Sequence, residues 1–149
     1  MPAVQKFDRS MIERYLKSRN LKYLVDSDGD YRVEFAYNES TGCELTVLLM
    51  AAGSRRQIYQ ILVMSDKRIP KKDWAQAVMA CNTWNKEKRW PKAYLYVAEP
   101  SKDTVGMIML EGQIDLEKGI HQELFDDFTD TIIVTARSFW EWAHREQGF

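Results

Sequence analysis

The chain has 149 residues, a formal net charge of −1, and 45% hydrophobic against 29% charged residues. That balance fits one globular domain over residues 1–149 and excludes a disordered chain. It also removes any global field toward nucleic acid or an anionic membrane, and no run of about 18 apolar residues exists to span a bilayer.

Met1 to Asp8 holds no apolar stretch of signal-peptide length. The only cysteines are Cys43 and Cys81, with no C-x-x-C spacing and no histidine near them. They read as buried free thiols, with a disulfide left open. The expectation is a soluble, cytoplasmic protein.

Asp8 is placed to cap a first helix over 9–19, with Met11, Ile12, Tyr15 and Leu16 at helical spacing and Glu13 and Lys17 paired on the wet side. A short strand at 22–25 precedes the turn residues Asp26-Ser27-Asp28-Gly29-Asp30. Tyr31, Val33, Phe35 and Tyr37 alternate with Arg32 and Glu34, the pattern of a half-buried strand. Turns at 38–42 and 53–56 flank a strand over 43–52 and lead into one over 57–64, so these segments form an antiparallel meander. Pro70 opens a helix over 71–88, and Pro91 blocks its continuation. Strands over 93–98 and 105–116 follow, then a long helix over 121–145. The order is α-β(3-4)-α-β(2)-α. It predicts an α+β domain in which three helices pack on an antiparallel sheet of five to six strands.

Three features bear on function. On the second helix, Trp74, Ala77, Val78, Cys81 and Trp84 share a broad face. Asn85 falls near its centre and Asn82 on its edge. A buried amide needs partners: Asn85 either bonds neighbouring backbone and fixes the helix against the next strand, or joins Asn82 in recognising a ligand amide. Arg89 and Trp90 follow, as a cation–π pair or peptide-binding surface, or simply as a favourable basic helix end.

The second feature is the sheet, which is apolar on both faces at its middle. One face takes the helices. The other carries Leu48 and Met50, then Met64, Met107 and Met109, and needs a cover: the protein's own helices, a second subunit or a bound peptide. The third is the last helix. Phe125, Phe128, Ile132, Ala136, Phe139 and Ala143 form its core stripe. Leu124 and Trp142 lie to one side, Ile133 and Trp140 to the other, and Val134 nearly opposite. A terminal helix so apolar all round points to a homodimer, with Val134, Trp140 and Trp142 at the interface.

Catalytic signatures are missing. There is no Walker A loop, no G-x-G-x-x-G and no G-x-S-x-G. His121 and His144 stand alone, and Asp126 and Asp127 read as a solvated helix face. Neither a catalytic residue, a metal site nor a cofactor is expected. The basic run Lys86, Lys88, Arg89 and Lys92 is broken by Glu87, so nucleic acid is not an expected partner.

The passage Ala80-Cys81-Asn82-Thr83-Trp84-Asn85, followed by Arg89-Trp90-Pro91-Lys92-Ala93-Tyr94-Leu95, resembles the YbjN family of bacterial proteins. So do Leu21-Lys22-Tyr23 after the opening helix and Ile114-Asp115-Leu116-Glu117-Lys118-Gly119-Ile120 before the last. The resemblance covers nearly the whole chain. It implies a fold like that of type III secretion chaperones, often dimeric, and a regulatory role in bacterial sensory transduction or stress response. It supplies no catalytic residue.

Two functions follow from these readings. The first is a non-enzymatic protein-binding adaptor or chaperone-like regulator, using Met50, Met64, Met107 and Met109 or a strand edge, with Asn82, Asn85, Arg89 and Trp90 as further partner-binding residues. The alternative is a small-molecule-binding module or unrecognised enzyme with its pocket near Asn82, Asn85 and Arg89.

Overall fold

The computed structural model describes residues 3–149; Met1 and Pro2, which begin the stretch read for a signal peptide, lie outside the described residues. The elements are α1 (Arg9–Ser18), β1 (Leu24–Val25), β2 (Tyr31–Asn38), β3 (Cys43–Ala52), β4 (Ile58–Ser65), β5 (Ile69–Pro70), α2 (Trp74–Glu87), β6 (Lys92–Tyr96), β7 (Val105–Asp115) and α3 (Gln122–Glu146). This is the α+β order read from the sequence. The sheet has seven strands rather than five or six. The short strand expected at 22–25 forms as β1, and the seventh strand is β5, a two-residue piece too short for alternation to register.

Side-chain chemistry sets the element ends. The Asp8 carboxylate accepts the Ser10 N–H at 2.8 Å and starts α1. Pro70 opens a 3-10 turn at Lys71–Asp73 rather than the α-helix itself, which begins at Trp74. His121 caps α3, its ring nitrogen accepting the Leu124 N–H at 3.1 Å.

All the strand pairs are antiparallel, in the order β1-β2-β3-β4-β7-β5, with β6 also on β7. The helices pack on one face, where Val33, Val47, Leu49, Tyr59, Ile61, Ile108 and Leu110 meet Met11, Ile12, Leu16, Phe125, Ile132 and Phe139. The middle helix of that layer is α3. Tyr15 of α1 donates to Asp130 at 2.7 Å on one flank, and Trp84 of α2 packs on Phe139 and Trp142, with ring centroids 5.2 and 5.7 Å away, on the other. Tyr59 reaches from the sheet into this layer, stacking on Phe125 at 4.2 Å and sharing a 2.7 Å hydrogen bond with Thr129.

This placement corrects one expected interface residue. Trp140 is fully buried within the single chain and cannot meet a second subunit. Wheel geometry put it beside the core stripe, but with a helix on each flank α3 is enclosed further round than a terminal helix usually is. Val134 is 61% exposed and Trp142 half-buried. Cys43 and Cys81 are free and buried, and burial pushes the Cys81 thiol up to about 11. No helix among the described residues is long and apolar enough to cross a membrane.

Candidate partner-binding face

Because strand side chains alternate, each residue sent to the helices leaves its neighbours on the opposite face. Register places Thr46 beside Met64, and Met64 beside Met109, which lies beside Tyr94. The next row runs Arg32, Leu48, Leu62, Glu111, Lys92, and Met107 pairs with Tyr96. These side chains lie outside the helix-covered core, and no helix among the described residues covers them. Among the described residues, this second and partly apolar face of the sheet has no layer of its own.

Two joined depressions cross this face. The larger, about 560 Å³, is lined by Arg32, Glu34, Glu44, Thr46, Met64, Asp66, Arg68 and Met107 among others. The smaller, about 180 Å³, shares Arg68 and Met107 and runs on to Tyr96, Asp103 and Val105. Of the four expected methionines, Met64 and Met107 line this cleft. Met50 sits further along, half-buried and opposite Gln60, and Met109 is only 8% exposed.

Beside the cleft lies a polar cluster that the sequence reading missed. The Glu111 carboxylate is 8% exposed, takes Lys92 Nζ at 2.7 Å and accepts from Gln60 Nε2 at 2.5 Å. Burial and then the charge of Glu111 raise the Tyr94 phenol above its ordinary value. One carboxylate inside an apolar strand was the available signal. Its partners come from two other strands, so only the register reveals them.

The second expected group stands apart from this cleft. Asn82, Asn85, Arg89 and Trp90 are exposed, so Asn85 is not the buried amide its place on the helix suggested, and none of the four lines either depression. The Asn85 carboxamide is engaged by the main chain of Ala93: its Nδ2 donates to the carbonyl at 2.9 Å and its Oδ1 accepts the N–H at 3.0 Å. Trp84 Nε1 donates to the Pro91 carbonyl at 3.1 Å, so the end of α2 is fastened to the start of β6 twice over. Asn85→Ala removes both of its bonds and is expected to lower stability by about 1–2 kcal/mol, read by urea unfolding. An unchanged midpoint would deny Asn85 this fastening role.

Among the described residues, the carboxylates of Asp26, Asp28 and Asp30 converge within 4.8 Å. Asp26 spends one oxygen on the N–H groups of Asp28 and Asp30, at 2.8 and 3.0 Å, and Arg9 donates to the Asp28 carbonyl at 2.8 Å. The loop is thereby built as a turn with a cation already at hand.

Among solved structures, the chain resembles that of YbjN from E. coli, described as "a putative transcription regulator". The TM-score is 0.76 at 8% identity, covering 97% of this chain and 96% of that one, and the likeness establishes the fold. No curated protein matches the sequence. A sequence model for YbjN, described as "Putative bacterial sensory transduction regulator", matches residues 8–145. With that span matched, the chain belongs to the YbjN family.

Proposed function

We propose that this protein is a non-enzymatic regulator that acts by binding another protein, with the helix-free sheet face as its docking surface. The carrying observation is the cleft lined by Met64 and Met107 on a sheet face that no element among the described residues covers. Flexible, polarizable methionine suits a surface that adapts to its partner. Membership of a regulator family agrees with this reading, and we place the protein in the cytoplasm, where a bacterial regulator meets its partners. The rival pocket near Asn82, Asn85 and Arg89 is weakened because Asn85 already spends its carboxamide on Ala93.

The test is the double variant Met64→Asp, Met107→Asp. Both side chains are half-buried and lie outside the helix-covered core, so the variant should still fold, with a melting temperature lowered but a cooperative transition kept. Partner protein captured in the cell by cross-linking should fall at least about tenfold, roughly the effect of losing one central contact of an interface. Undiminished capture by a folded variant would move the docking surface elsewhere.

A further inference from the structure

Resting on that reading of the open face, we infer that the cleft receives an amphipathic helix with basic flanks, supplied by the partner protein. The floor decides the conformation. Strands β3, β4 and β7 are each paired on both sides, so their main-chain N–H and C=O groups are already engaged. A strand laid across Met64 and Met107 would find no ladder to join, and its own backbone groups would be buried without partners. A helix brings its backbone bonds with it and presents only side chains.

The span also fits. From β2 across to β6 is four strand steps, ~19 Å, which ~13 helical residues cover. Such a helix supplies the second layer that an apolar sheet face otherwise lacks.

Charge selects the flanks. Arg32 is tied to Glu34 at 2.8 Å and Lys92 to Glu111 at 2.7 Å. What remains on the rim of the larger depression is Glu44 and Asp66 against Arg68, a net negative border. Lysine or arginine beside the helix's apolar stripe complements it.

The experiment uses the full chain with 13C-labelled methionine methyls and three synthetic peptides of about 14 residues, long enough for the span above. One carries a leucine–methionine stripe flanked by lysine. The second replaces the lysines with glutamate, and the third keeps the lysines but has two central prolines. The lysine peptide should shift the Met64 and Met107 methyls and bind at least about tenfold tighter than the glutamate peptide at low salt. It should leave those methyls unmoved once Glu44→Lys and Asp66→Lys are introduced. If the proline peptide shifts the same methyls equally, the face binds but the occupant is not helical. If the glutamate peptide binds as tightly, the basic flank is wrong. If no peptide moves either methyl, the docking face itself falls.

Discussion

Replacing Trp140 with alanine is expected to destabilise the protein by about 3–5 kcal/mol, the usual cost of emptying a large aromatic site in a packed core. The indole is fully buried and meets Phe139 edge-on at 5.3 Å. Domains of this kind have only about 5–15 kcal/mol in total, so the variant should unfold at much lower urea with an unchanged slope. Trp140→Phe should cost far less. It keeps most of the volume and discards an indole N–H that has no hydrogen-bond partner. The pair separates a core role from an interface role, because an interface tryptophan truncated to alanine would lower the mass in light scattering and make any loss of urea midpoint depend on protein concentration. The dimer expected from α3 now rests mainly on Val134. If the protein self-associates there, Val134→Asp should lower the mass while leaving the fold intact.

Gly112→Val is the second large effect. A β-carbon at this position of β7 would lie 2.5 Å from Cδ1 and 2.8 Å from Cγ1 of Ile132, itself 1% exposed. The glycine is where α3 comes down onto the sheet. Valine adds two further methyls, so α3 must lift or Ile132 must leave its site, at about 3 kcal/mol. Ile132→Ala should partly rescue the valine variant although it is harmful alone, since it vacates the space the valine needs. A double-mutant cycle by urea unfolding should show favourable coupling of about 1 kcal/mol or more. Simple additivity would mean that the two residues do not meet.

The strands were legible because their alternation holds over most of their length: Cys43, Leu45, Val47 and Leu49 against Glu44 and Thr46, and Tyr31, Val33 and Phe35 against Arg32 and Glu34, although Tyr37, read on the same face, falls in the register shift and is exposed. Asp8 and Pro70 marked the first two helices for local reasons that sequence carries directly, although Pro70 begins a 3-10 turn first. The open face was half legible. Two apolar sets on one strand show that both faces are apolar, but which one the helices take depends on their crossing of the sheet. Glu111 and its partners escaped because they are separated in sequence and joined only by register. Trp140 was misplaced because a helical wheel shows which residues share a side, not how many neighbours that side will have.

The Asn85–Ala93 pairing has a consequence for how the sheet ends. Strand β6 pairs with β7 alone, so its outer rim would be a template on which another chain's strand could grow. At Ala93 the carboxamide supplies one acceptor and one donor in the positions a neighbouring strand would use, and so stands in for that strand. On the far rim, β1 covers only Tyr31 and Arg32 of β2, and beyond it β2 carries a register shift between Phe35 and Asn38, the kind of irregularity that twists an edge away from further pairing. One rim is closed by a side chain and the other bent by its backbone. A sheet with one face left uncovered thereby avoids stacking edge to edge into aggregates.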